Sequence, residues 1–195
     1  MPTTELVVLL DDEGRVAGTA DKAVVHGPDT PLHLAFSAYL FDDAGRLLVT
    51  RRALGKRTFP GVWTNSVCGH PAPGEALPAA VRRRATRELG LHVTSLRLVL
   101  PRFAYRAEMD GVVELEQCPV YAGRLAPGGA LALAADEVDD AEWVGWAEFS
   151  ADVLAGTRVV STWCHEQVPQ LVALGSDPDR WPEADNRLLP PAARL

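Results

Sequence analysis

The chain has 195 residues, 47% hydrophobic and 23% charged, which is enough for one domain with a packed core. A formal net charge of -7 speaks against general nucleic-acid binding, and no apolar run approaches the roughly 18 residues needed to span a bilayer. Three cysteines without a CxxC pair disfavour a disulfide framework and point to a reducing compartment, the cytoplasm. The N-terminal segment has no basic region ahead of its apolar pentad and no small-residue cleavage site, so no signal peptide is expected.

In chain order, LVVLL (6–10), DDEG and RVAGTA read as a hairpin, and LHLAFSAYLF (32–41), DDAG and RLLVTRR (46–52) as a second. PAAVRRRATREL predicts a helix over 78–89, with Pro78 in its first turn, Gly90 just past its end, and Val81, Ala85 and Leu89 forming an apolar stripe. Strands follow at 93–100, 103–109 and 112–125, with Asp110-Gly111 turning between the last two, and at AEWVGWAEF (141–149). A further helix spans about 162–174, and the Pro- and Asp-rich tail from Ser176 reads as irregular. The expectation is a mixed α/β (α+β) layered fold, one domain over 1–175 with a tail over 176–195.

The cations are clustered: RRALGKR (51–57) and RRRATR (82–87) hold eight of the 19 Lys and Arg residues. Basic groups in an acidic protein suit a small phosphate ester, although a solvated helix face gives the same pattern. Glu114 and Glu116, two apart in a strand, point to one face. Two such carboxylates repel unless a cation lies between them or one holds a proton. With His26, His33 and His70 they form a donor set for Mn²⁺, Zn²⁺ or Fe²⁺, and equally a set of surface residues. Asp136, Glu137, Asp139 and Asp140 read as a solvated acidic loop.

GHPAPGEALPAAVRRRATRELGL (69–91) resembles the Nudix box. Gly69, Glu75, Arg83, Ala85, Glu88 and Gly90 match its pattern, but Arg84 and Arg87 stand where the box has glutamates that hold Mg²⁺ for diphosphate hydrolysis. The change fits a protein that holds a diphosphate without cleaving it. LHLAFSAYLF, LLVTRRAL, FPGVWTNSVCGHP, RRRATRELG, FAYR and VELEQCPV together resemble type I isopentenyl-diphosphate isomerases, a family of Nudix fold, over about residues 5–165. The resemblance implies a Nudix-like single domain and a small allylic or homoallylic diphosphate as substrate, with no nucleic acid or membrane partner, in a monomer or weak homodimer. It implies a divalent metal, Mn²⁺ or Zn²⁺, on His26, His33, His70, Glu114 and Glu116, and Mg²⁺ held by the substrate diphosphate and Glu88. It implies Lys22, Arg52, Lys56 and Arg84 as diphosphate cations, with Arg51 and Arg83 as weaker candidates. Cys68 and Glu116 match the family's acid/base pair, with Tyr105 beside Glu116 and Trp163 as an aromatic wall.

Overall fold

The computed structural model describes residues 5–194. Strand β1 (Leu6–Leu10) pairs with β2 (Val16–Asp21), and Asp21 then caps a single helical turn, α1 (Lys22–Val25), that the sequence did not announce. The segment expected as one strand over 32–41 is β3 (His33–Leu34) and β4 (Phe36–Phe41), which lie in different sheets. Next come β5 (Arg46–Arg52), short β6 (Trp63–Thr64) and β7 (Val67–Gly69), and the helix α2 (Leu77–Leu89). The remaining strands are β8 (Val93–Leu100), β9 (Ala104–Met109), β10 (Val112–Gln117), β11 (Val120–Leu125) and β12 (Val138–Gly145). Helices α3 (Trp146–Ala155) and α4 (Thr162–Ala173) follow.

One sheet has the order β2-β1-β3-β10-β9, and the other β12-β5-β4-β11-β8, with β6 on β5 and β7 on β4. The pairs β3–β10 and β4–β11 are parallel, so two segments cross between the sheets side by side. The crossing is pinned where Ala35 N donates to Gln117 O (2.9 Å) and Ser37 N to Pro119 O (3.1 Å). Pro119 explains why 112–125 is not one strand: it has no N–H to continue a ladder, and the chain changes sheet there.

Both faces of β4 are buried, and period-2 alternation sorts them. Tyr39 and Phe41 join the core with Trp146, Phe149 and Trp163 of α3 and α4, whereas Phe36, Ala38 and Leu40 join the core with Leu77, Val81, Ala85 and Leu89 of α2. The larger sheet is thus covered by helices on both faces, as the mixed α+β expectation requires.

The expected strand over 141–149 is a correction: β12 stops at Gly145 and α3 begins at Trp146. Trp146, Phe149, Ser150 and Val153 recur at helical spacing and are buried, a pattern that a window ending at 149 cuts short. The tail from Ser176 contains three 3-10 turns and returns to the core, where Trp181 packs edge-on to Trp146 at 5.0 Å and to Phe41 at 6.1 Å. No helix among the described residues is long and apolar enough to cross a membrane.

Candidate active site

A cleft of about 540 Å³ opens between the sheets. Its lining includes Lys22, His26, Arg52, Lys56, Cys68, His70, Arg84, Tyr105, Glu114, Glu116 and Trp163, so eleven expected site residues from nearly the whole chain meet in one place. His33 stands directly behind this wall, fully buried, and Glu88 lies beneath Arg84.

Three imidazoles gather at one end. The ring centroids of His26, His33 and His70 lie 5.0–5.7 Å apart, and with Glu116 they offer ligand atoms all within 4.8 Å of one another. Glu116 Oε1 is 3.0 Å from His70 Nε2 and 3.4 Å from His33 Nε2. His33 Nδ1 donates to Pro31 O at 2.9 Å, which leaves its Nε2 lone pair facing the cluster, as metal-ligating histidines are commonly held. Burial pushes His26 and His70 down to about 4, so both rings are neutral at pH 7. Burial also opposes charging His33, but Glu116 outweighs it and raises the ring. The two histidines beside it hold Glu116 well below the usual carboxylate range against its own desolvation. His26 Nε2 and His70 Nδ1 are buried without a hydrogen-bond partner. Buried neutral imidazoles with free nitrogens around a carboxylate fit a divalent metal ion.

Glu114 sits one step outside this group. The Tyr105 hydroxyl lies 2.9 Å from both Glu114 Oε2 and Glu116 Oε2, and a phenol has one proton to donate, so one hydrogen is shared between two carboxylates. Register explains the arrangement: Tyr105 of β9 pairs with Glu116 of β10, and Glu114 is the next residue on the same face.

Cys68 stands on β7 opposite Ser37 of β4. Burial drives its thiol up to about 11, so it is protonated at neutral pH. Its Sγ lies 3.1 Å from Asn65 Oδ1, and Trp163 Nε1 donates to the same oxygen at 3.2 Å. Both Asn65 amide hydrogens go to backbone carbonyls, Ala38 O and Val67 O, which fixes the oxygen toward the thiol and the indole. Sequence reasoning missed Asn65; its only signal is its place in TNSVCGHP. His70 follows the end of β7 and its ring turns to Glu116 rather than to Cys68. Gly69 between them suits close packing, since a Cβ there would lie 3.3 Å from the Arg84 side chain and the Phe36 ring, which would have to give by a few tenths of an ångström.

The cations occupy the other end. Arg52 donates to Thr58 O and Phe59 O, and its guanidinium lies 5.5 Å from the centroid of Trp163. Phe59 pays for this with φ +47°, unusual for a bulky residue, while its ring packs edge-on to Trp163 at 5.2 Å. Arg84 bonds Glu88 Oε1 through Nε at 2.5 Å and Glu137 Oε1 through Nη2 at 3.0 Å. Burial raises Glu88, and Glu137 adds to that against Arg84 and Lys56, so the carboxyl stands where a cation would relieve it. Lys22 pairs with Glu5 at 2.6 Å. Of the weaker candidates, Arg51 is outside the cleft, paired with Asp139, and Arg83 is held by Glu75 in an adjoining groove. The acidic loop is corrected in part: Glu137 lines the cleft between Arg84 and Lys56 instead of facing solvent.

Residues 31–164 match the NUDIX domain family. Over 194 residues the chain is 56% identical to an isopentenyl-diphosphate Delta-isomerase of Saccharopolyspora erythraea, covering 97% of each. Over 174 residues it is 60% identical to an isopentenyl-diphosphate Delta-isomerase of Mycolicibacterium vanbaalenii, covering 89% of this chain and 94% of the relative. The chain belongs to the isopentenyl-diphosphate Delta-isomerase family. Two solved structures share its fold: DR0079 from Deinococcus radiodurans, with a TM-score of 0.63 at 20% identity over 85% of this chain and 98% of that one, and a MutT protein from Methanosarcina mazei, with 0.56 at 18% over 73% and 94%. Within the isomerase family the altered box acquires a physical sense. Arg84 occupies a box glutamate position and bonds Glu88, so α2 presents a guanidinium to the cleft where a Nudix hydrolase gathers carboxylates.

Proposed function

We propose that the cleft interconverts isopentenyl and dimethylallyl diphosphate by proton transfers at Cys68 and Glu116. The chain is an isomerase of this family, and the reaction moves a carbon–carbon double bond by one position. The observation that carries the residue assignment is the meeting of a protonated thiol, a carboxylate and a cluster of cations in one cleft.

An alkene is a very weak base, so its protonation needs an acid held against the terminal carbon, and a second group must take a proton from the neighbouring methylene. Cys68 and Glu116 sit on strands of different sheets and both open on the cleft, which lets them address one substrate from two directions. Because the reaction is reversible, each group gives a proton in one direction and takes one in the other. The Tyr105 hydroxyl carries a hydrogen to Glu116 or to Glu114, so the carboxylate that changes charge has a partner able to follow it. Between the two steps the substrate is a tertiary carbocation. The indole face of Trp163 stabilises such a cation by about 2 kcal/mol when desolvated. Trp163 is 1% exposed and packs against Tyr105 at 5.4 Å, so the wall is rigid and excludes the water that would trap the cation.

Lys22, Arg52, Lys56 and Arg84 bind and align the diphosphate. His26, His33, His70 and Glu116 would hold Mn²⁺ or Zn²⁺, with Glu114 as a further carboxylate ligand beside Glu116, and Glu88 with the diphosphate would hold Mg²⁺. Bound there, the first ion fixes and tunes the Glu116 carboxylate and the second neutralises phosphate charge. The direct test incubates the purified protein with isopentenyl diphosphate, Mg²⁺ and Mn²⁺ and measures dimethylallyl diphosphate. Formation of that product with uptake of solvent deuterium is expected; release of inorganic phosphate without it would overturn the reading.

A further inference from the structure

Glu137 has no place in the reaction just described, yet it is among the most constrained side chains of the cleft. Its carboxylate spans two elements: Oε1 is 3.0 Å from Arg84 Nη2 on α2, and Oε2 pairs with Lys56 Nζ in the turn after β5. The side chain is 11% exposed. Its backbone is held as firmly. Glu137 N donates to Ala134 O at 2.8 Å, and Glu137 O accepts from Ala53 N at 3.0 Å. Ala53 O in turn accepts from Lys56 N, so the turn that carries Lys56 is stitched to the residue that holds its ammonium. On the other side, Ala132 N donates to Leu89 O and Ala134 N to Glu88 O, both at 2.9 Å, docking the loop before β12 onto the C-terminal end of α2.

Electrostatics sharpens the question of what this carboxylate does. Burial alone would raise Glu137, but Arg84 and then Lys56 outweigh it and pull it down to about 2, so it is charged at any working pH. Desolvation and the nearby Arg52 lower Lys56, and Glu137 is the leading influence that opposes them. A fixed negative charge in a diphosphate subsite repels the ligand by Coulomb's law. Its presence there is intelligible if its geometric effect on the cations exceeds that repulsion.

We propose that Glu137 is a positioning residue of the diphosphate subsite, bracing Lys56 and Arg84 so that both face the cleft at fixed spacing before the diphosphate arrives. The box position taken by Arg84 is thereby served from outside the box. The loop carboxylate of Glu137 orients the guanidinium from one side while Glu88 holds it from the other. This rests on the diphosphate reading of the cleft.

Two ideas about Glu137 give opposite signs. If it only balances charge, Glu137→Gln removes a repulsion and tightens binding of inorganic pyrophosphate with Mg²⁺. If it braces the cations, the same substitution weakens binding by about tenfold, the loss expected for hydrogen bonds to charged groups. Isothermal titration with pyrophosphate and Mg²⁺ measures this directly, with circular dichroism to confirm that the variant is folded. Glu137→Asp keeps the charge but shortens the reach, and is expected to weaken binding as well. In a Lys56→Met background, Glu137→Gln is expected to weaken binding by only about threefold, because the brace on Lys56 is already gone and only the one on Arg84 remains to be lost. Unchanged or tighter binding by Glu137→Gln, wild-type binding by Glu137→Asp, or equal effects in both backgrounds would overturn the proposal. A wild-type protein that binds pyrophosphate but makes no dimethylallyl diphosphate would sink the proposed chemistry and leave this measurement standing.

Discussion

At the scale of single residues, the surroundings reinforce the ordinary protonation states of the two central groups. Cys68 has its thiol held near 11 by burial, and Glu116 is held low by two histidines, so at neutral pH one group carries a proton and the other does not. Removing either should stop one of two coupled proton transfers. We expect Cys68→Ala and Glu116→Gln each to lower kcat by about 10²–10⁴-fold, the usual range for a general acid or base, with pyrophosphate affinity kept within about threefold. Steady-state rates of dimethylallyl diphosphate formation check this, and near-normal turnover by Cys68→Ala would remove the thiol from the mechanism. Both residues were expected from long distinctive stretches, TNSVCGHP and VELEQCPV, and the fold brings both to the cleft. Asn65 lies in the same stretch and was invisible for a different reason. Its part is to offer one oxygen to Cys68 and to Trp163, and the latter arrives from α4, 98 residues away in sequence. Glu137 was hidden in the same way: its partners come from α2 and the turn after β5, whereas its own neighbours Asp136, Asp139 and Asp140 suggest a solvated run.

At the scale of elements, the sequence was readable where one period persisted and misleading where the chain changed partner. Helix α2 was expected at 78–89 and occupies 77–89, because its apolar stripe and Gly90 define it locally. Strand 112–125 broke at Pro119 and strand 32–41 at Ala35, for the break is a change of sheet and leaves the strand-like composition intact on either side. The C-terminus of α2 also shows how one local signal serves the site. Gly90 adopts φ +69°, and a Cβ there would lie 2.7 Å from the Ala132 Cβ in the loop that carries Glu137. Gly90→Ala therefore adds backbone strain to a steric clash, and we expect it to destabilise the protein by about 1–3 kcal/mol. For a chain of this size that corresponds to a fall in Tm of about 2–12 °C by differential scanning calorimetry. Because the clash displaces the loop, the variant should also bind pyrophosphate more weakly at temperatures where it remains folded. An unchanged Tm would show that the loop is not docked on the helix end.

At the scale of the whole molecule, the two sheets are held together by more than their shared core. The tail closes one side: the sequence suggests a domain ending near residue 175, but Trp181 is 1% exposed against Phe41 and Trp146. Ending the chain after Gly175 exposes that aromatic pocket and should cost about 3–5 kcal/mol, the range for deleting a buried large side chain, read as a lowered Tm. The histidine cluster closes the other side. His33 and Glu116 come from β3 and β10 of the smaller sheet, His70 follows β7 on the larger one, and His26 follows α1. An ion bound to them joins the sheets, and because it binds only the folded chain it should stabilise the fold. At 100 times its Kd, Mn²⁺ or Zn²⁺ should add about 2.7 kcal/mol, or about 5–11 °C in Tm, over chelator-treated protein. Protons compete with the ion for His33, whose pKa is raised by Glu116, so metal binding must expel a proton whenever the pH lies below that raised value. The metal-dependent increment should therefore shrink as pH falls through that raised value, in a window that opens above the ordinary 6.5. His26 and His70, held down to about 4, stay neutral across that window and do not add to the loss. In the chelated protein these two work the opposite way from His33: their folded values lie below the unfolded value of 6.5, so their stability contribution is full above 6.5 and is lost as pH falls toward 4. Thermal scans with and without metal at pH 8 and pH 6 separate the two effects, and an increment that is absent at both would remove the metal from the histidine cluster.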